Sequence, residues 1–238
     1  RLGRGIWTNM QQQIDLTKIQ VLTFDCYGTL IDWETGIAEA LSPLLAKHGL
    51  TIDTKSILQM YAKHELAERN KPYQSYRMLL RNIVSGIFSE FNLKASDNEQ
   101  DFLPQSIKNW PPFTDTVKSL NFLRKKYELG VISNIDNDLF AISNSKMQIP
   151  FSWIITAEQA QSYKPNLAAF TLALETIPYP KEYILHIAES NYHDIAPAKV
   201  LGIKTVWVRR QEISNATLMS SVDPDMEVPD LERLCSLL

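Results

Sequence analysis

Cysteine is scarce in this chain: 238 residues hold only Cys26 and Cys235. That excludes a disulfide framework or a cysteine zinc site, and a reducing cytoplasm is the expected compartment. An excess of one charge is lacking too. A net charge of -3 and a pI near 5.9 leave no electrostatic footprint for nucleic acid or an anionic membrane, so neither is an expected partner. No apolar run approaches the roughly 18 residues that a bilayer-spanning helix needs. Residues 1–9 lack the apolar stretch of a secretory signal, and Met10 is a candidate start, so residues 1–18 are read as an extension with no role in the fold. Internal repeats and low-complexity tracts are missing as well. What remains is a chain long enough to bury a full core, as one domain or as a domain with an insert.

Short apolar runs without polar alternation stand near residues 19–25, 128–133, 152–156, 183–188 and 204–208, the pattern of strands covered on both faces of a parallel sheet. Helical patterns lie between them at 115–127, 136–147, 167–176 and 195–201, so the core is expected to be a doubly wound α/β sheet. Residues 211–229 carry Pro224 and Pro229 and read as a loop before a short last helix. Between the first two strands lie four helix-length segments, 37–48, 54–69, 73–91 and 98–109. A connection that long needs structure of its own, so residues 37–110 are expected to form an all-helical cap over a core of 19–36 and 111–238. Pro111 and Pro112 suit a hinge where the chain re-enters the core.

Four strand ends carry chemistry. The first run ends in Asp25, followed by Gly28 and Thr29; the second ends in Ser133 and Asn134. Lys164 sits in a loop before Pro165, and the strand at 183–188 opens onto Glu189 and Asp194. Open α/β sheets build their sites at the carboxyl ends of strands. An isolated Asp-x-x-Gly reads as a turn cap before it reads as a nucleophile. Carboxylate, hydroxyl, lysine and acid pair in this order make a joint signal that none of them makes alone.

On these motifs the chain resembles the haloacid dehalogenase (HAD) superfamily of hydrolases. The run Asp25-Cys26-Tyr27-Gly28-Thr29 is similar to the type II (S)-2-haloacid dehalogenases, and segments 24–36, 108–112, 133–136 and 189–194 also resemble azetidine-2-carboxylate hydrolase. The resemblance implies a Rossmannoid core with a helical cap, a cytoplasmic enzyme that commonly forms homodimers, and a small 2-substituted carboxylate as substrate, with possible defluorination of fluoroacetate. Asp25 is the implied nucleophile, Thr29 and Ser133 its hydroxyl donors, Lys164 the charge that keeps it ionised, and Asp194 the acid that orients Lys164. Tyr27, Asn134, Asn191, Lys63 and His193 are the implied substrate contacts, with Lys63 nearest by spacing to the cap cation that holds the carboxylate; Arg69, Arg77 and Arg81 are the alternatives.

The residue types agree with that chemistry. A carboxylate that displaces a leaving group gives an ester that water then cleaves. Alkoxide departure needs a proton, and phosphatases of the superfamily keep an Asp for it two positions after the nucleophile. Here that position is Tyr27, whose ordinary pKa of about 10 is too high for the task. Halide leaves without a proton. Glu189 stands where type II dehalogenases have a small hydroxyl residue, and it restores an acidic spacing like the phosphatases' magnesium motif. The expected site is metal-free, with Mg²⁺ on Asp25, Glu189 and Asp194 as the alternative. Phe170 replaces a tyrosine of the family. His186, inside a strand, is expected to be a buried, hydrogen-bonded imidazole, and Trp33, Tyr61, Tyr73 and Tyr76 to serve packing.

Overall fold

A computed structural model describes residues 14–210, 220 and 222–238. Six parallel strands form one sheet in the order β3-β2-β1-β4-β5-β6. They are β1 (Val21–Phe24), β2 (Glu128–Ser133), β3 (Trp153–Thr156), β4 (Ile184–Ala188), β5 (Lys204–Val208) and β6 (Met226–Val228). Strands β1 and β4 are buried at every position, as an apolar run covered on both faces requires. β1 lies between β2 and β4, with Phe24 in register with Val131 and Ile187. The strand order reverses direction across β1 and β4, where doubly wound sheets open a crevice.

Five helices make up the insert that follows β1: α1 (Trp33–Ala46), α2 (Thr54–Arg69), α3 (Tyr76–Glu90), α4 (Asp97–Gln100) and α5 (Phe102–Ser106). After them come α6 (Thr116–Leu123), α7 (Asn137–Met147), α8 (Ala157–Ala160), α9 (Ala168–Thr176), α10 (Ala196–Val200) and α11 (Leu231–Leu237). Each of the three long cap helices starts on a side-chain cap, with Asp32, Asp53 and Ser75 accepting from the backbone N–H three residues on. The chain leaves and re-enters the core side by side: Asp32 N donates to Pro111 O (2.8 Å) and Phe113 N to Leu30 O (3.0 Å). Farther out, the Asp136 carboxylate accepts from Tyr76 N and Arg77 N at the start of α3 (2.8 and 2.9 Å), and the Tyr163 hydroxyl donates to Gln74 O (2.8 Å). These core groups fix the cap helices over the sheet.

Several elements differ from the sequence reading. Helix α1 begins at Trp33 rather than near 37, because Asp32 supplies the cap. The segment 98–109 is two short helices and a 3₁₀ turn, broken at Asp101 and again at Ile107. Residues 226–228, read as loop, form edge strand β6, which Asp225 draws in by accepting from Thr205 N (2.9 Å). Of the expected N-terminal extension, 1–13 lie outside the described residues, whereas Ile14 and Leu16 pack on the core. Residues 211–219 and 221 also lie outside them.

Trp110, 1 % exposed, wedges where cap meets core: its indole nitrogen donates to Ser106 (2.9 Å) and its ring meets Tyr27 edge-on at 5.7 Å. A methyl group on Gly36 of α1 would stand 2.3 Å from the indole Cγ. Helix propensity favours Gly→Ala by about 1 kcal/mol, but overpacking a buried ring costs typically about 1–3 kcal/mol. Gly36→Ala is therefore expected to lower unfolding stability on balance, and urea titration showing an equal or more stable variant would refute this packing account.

Candidate active site

The β1 run delivers Asp25 into a tight turn. Cys26 O accepts from Leu30 N (2.7 Å) and Ile31 N (2.9 Å), and Gly28 takes φ +100°, a backbone conformation that disfavours any side chain. From behind, the Arg210 guanidinium donates to Thr29 O (2.9 Å) and to Asp115 (2.9 Å), fixing the turn to the core.

Lys164 lies at the centre of the site, with 1 % of its surface exposed. Its ammonium donates to Asp25 Oδ1 (2.9 Å), Asp194 Oδ1 (2.5 Å) and Ile132 O (2.7 Å), so each of its three hydrogens has an acceptor. Burial works against the charge on Lys164, but the two carboxylates outweigh it and hold the ammonium above its ordinary pKa. Burial pushes the Asp25 carboxyl up from its usual range, opposed by Lys164 and by the Thr29 hydroxyl, which donates to Oδ2 at 2.9 Å. Burial acts on Asp194 in the same sense, yet Lys164 and His186 overcome it and hold that carboxyl low.

The remaining expected residues separate into those the fold brings to this centre and those it does not. Ser133, at the end of β2, lines the cavity, and its buried hydroxyl has no partner. Asn134 lines it too, but its amide clamps the Lys164 backbone: Oδ1 accepts from Lys164 N (2.7 Å) and Nδ2 donates to Lys164 O (3.1 Å). Tyr27 turns its hydroxyl away to Ser143 (2.6 Å), and burial raises it well above the ordinary phenol value. Asn191, expected at the substrate, instead donates to Val222 O (2.9 Å) and is not among the lining residues. Lys63 reaches outward: its ammonium is paired with Glu90 at 2.9 Å and its side chain is 68 % exposed. It forms part of the rim without offering a buried charge.

The cap cation with buried donors at the cavity is Arg69, half-buried at the end of α2. Its Nη2 donates to Glu65 Oε1 one turn earlier (2.9 Å), its guanidinium lies over the Tyr163 ring at 5.1 Å, and Nε and Nη1 are buried without partners. Spacing from Asp25 pointed to Lys63; the i, i+4 pair Glu65 and Arg69 was the available signal for the other choice. His186 is the buried imidazole expected in β4. Its Nε2 lies 3.1 Å from Asp194 Oδ1 and its Nδ1 2.9 Å from the Thr23 hydroxyl, so it also braces the acid that holds Lys164.

The magnesium alternative finds no support. The Lys164 ammonium already bonds one oxygen each of Asp25 and Asp194. Among the described residues no three acidic, histidine or cysteine side chains gather as a metal site. Glu189 lines the cavity, its carboxylate near Gly28, while its backbone is tied at both ends: N–H to the Thr29 hydroxyl (2.9 Å) and O to the Trp207 indole (2.5 Å).

A cavity of about 370 Å³ opens between these strand ends and one face of α2, walled by Trp33 and Tyr61 as well as by the polar groups above. His193 lines it from the turn after β4, held by Ser190 through backbone N–H (3.1 Å) and Nδ1 (3.0 Å). Burial, aided by Arg69, pushes the His193 pKa down to about 4, so the ring is neutral at neutral pH. The unfolded chain takes up this proton near pH 6.5 and the folded protein only near 4, so stability is full above that interval and falls as pH drops through it, by up to about 3 kcal/mol. His193→Gln is expected to flatten this part of the curve; urea titrations at pH 7 and 4.5 that give both proteins the same loss would refute the assignment.

Comparison with known proteins agrees with this geometry. Residues 22–208 match the family of haloacid dehalogenase-like hydrolases. The (S)-2-haloacid dehalogenase of Pseudomonas fluorescens is 26 % identical over 82 % of this chain and 87 % of its own. Haloacetate dehalogenase H-2 of Moraxella sp. (strain B) is 24 % identical over 94 % and 99 %. The L-2-haloacid dehalogenase of Xanthobacter autotrophicus, solved with chloropropionic acid covalently bound, superposes with a TM-score of 0.79 at 16 % identity, covering 92 % of this chain and 98 % of that one. None of these relatives adds support for the azetidine resemblance. The match across most of the chain settles its membership: the protein belongs to the haloacid dehalogenase-like hydrolase family.

Proposed function

We propose that the protein is a hydrolytic dehalogenase of small 2-haloalkanoic acids. The observation that carries this reading is a buried carboxylate, Asp25, held by Lys164 and Thr29 and facing a cavity with a partly unpartnered guanidinium. Arg69 would take the substrate carboxylate through Nε or Nη1, a charge-assisted contact in a site sheltered by the cap. Asp25 would attack C2: its oxygen forms the new C–O bond as the carbon–halogen bond breaks and halide leaves with the electron pair. Water then adds to the Asp25 carbonyl carbon, and the ester opens to the 2-hydroxy acid and the free carboxylate, releasing one proton. The unpartnered Ser133 hydroxyl is the donor this reading assigns to substrate or to the ester.

Tyr27 weighs against a phosphatase reaction. Its hydroxyl is engaged with Ser143 and its proton is held more tightly than in an ordinary phenol, so it is poorly suited to protonate an alkoxide. Halide needs no such acid. Lys164 would keep Asp25 ionised without itself moving a proton. Asn134 would act through Lys164, by holding its backbone, and not at the halide.

Three outcomes follow. Halide release from fluoroacetate, chloroacetate and both enantiomers of 2-chloropropionate in excess EDTA is expected for at least one acid with wild type and to fall by at least about a thousandfold in folded Asp25→Asn; release that survives in the variant would remove Asp25 as nucleophile. Arg69→Lys is expected to raise KM for the acid by about tenfold with kcat little changed, since a point charge replaces a planar donor, and an unchanged KM would move carboxylate binding elsewhere. The acid limb of kcat/KM should lie above the ordinary Asp value of 3.8, activity falling as pH drops and Asp25 gains its proton. A profile flat down to pH 3.8 would contradict that.

A further inference from the structure

The cavity is larger than a two- or three-carbon haloacid requires. Its volume of about 370 Å³ compares with on the order of 120 Å³ for 2-chloropropionate, the room of about four waters. Bound against Asp25 and Arg69, so small an acid would leave most of the space to water. The walls of that space are not polar throughout. Trp33 and Tyr61 stand together with their rings 5.6 Å apart, and Tyr61 is 1 % exposed. Ala62 and Leu66 continue the lining along one face of α2, and Leu66, 45 % exposed, marks the way out to solvent. Positions 62 and 66 are one helical turn apart and Leu66 is three residues from Arg69, so the stripe runs back along α2 from Leu66, beside Arg69 at the solvent edge, to Ala62.

From this we infer that the substrate carries an apolar C2 substituent of about four to six carbons, an alkyl chain or a phenyl ring, lying along Trp33, Tyr61, Ala62 and Leu66. The inference rests on the dehalogenase reading for its leaving group and on the cavity for its tail. Polar groups and tail divide the work: Arg69 fixes the carboxylate, Asp25 faces C2, and the tail displaces water from the aromatic and aliphatic wall. Each methylene buried there improves binding roughly fourfold.

Two measurements test the assignment separately from the reaction. In the Asp25→Asn protein, calorimetric affinities for propionate, hexanoate and phenylacetate are expected to rise at least about tenfold from the first to the other two. With wild type, kcat/KM for 2-bromohexanoate is expected to exceed that for 2-bromopropionate by a similar factor, and Ala62→Phe, which narrows the stripe, to cut that ratio at least about threefold. Equal affinities for propionate and hexanoate would overturn the tail assignment even if halide is released. No bromide from either acid, with the binding preference intact, would overturn the dehalogenase reading and leave the tail assignment standing.

Discussion

A lysine ammonium shared by two carboxylates inside the protein is the constraint around which the rest of this structure is arranged. Lys164 is buried, and a buried ion is tolerable only when it is paired and every hydrogen has an acceptor. Its acceptors come from three strands: Asp25 after β1, Ile132 O on β2 and Asp194 beyond β4. Their convergence requires the strand ends to lie in register, which the parallel ladders provide. The supporting groups follow from the same need. Asn134 clamps the lysine backbone, His186 and Thr23 brace Asp194, and Thr29 with Arg210 hold the Asp25 turn. Removing one carboxylate would unbalance all of them, because the remaining charges would be left buried in an arrangement built for three.

The cap and the core contribute different chemistry. The core presents an ammonium already shared by two carboxylates. The cap presents Arg69, whose donors are only partly met by Glu65, beside aromatic walls. A guanidinium in that position is suited to receive an anion, and the cap over it limits the water that would compete. The two parts are held in relation by contacts that use backbone groups, Asp136 on the first N–H groups of α3 and Tyr163 on Gln74 O, so their spacing does not depend on long flexible side chains.

Much of the core could be read in advance because its signals are local. Runs of apolar residues ended where Asp25, Ser133 and Glu189 begin, and Gly28 marked the turn that needs a positive φ. The strand β6 was hidden because a three-residue strand between two prolines carries no periodic pattern; its backbone ladder with β5 and the contact of Asp225 with Thr205 join it to the sheet. The start of α1 was misplaced because a capping Asp acts through one hydrogen bond and leaves no mark on the apolar pattern.

The sequence by itself determined the parallel sheet, the helical insertion and the set of Asp25, Thr29, Ser133, Lys164 and Asp194, since each sits at a strand end or loop that short-range patterns define. Only the tertiary structure decided which cap cation turns buried donors to the cavity, which of the polar residues near the motifs reach it, and that Lys164 stands between Asp25 and Asp194. Spacing along a chain does not report which way a helix turns its faces. Lys63 and Arg69 lie on the same helix, and the packing of α2 against the core sends one to Glu90 at the surface and buries the Nε and Nη1 of the other. Asn191 and Glu189 likewise stand two residues apart, yet the turn after β4 points one at Val222 and the other into the cavity.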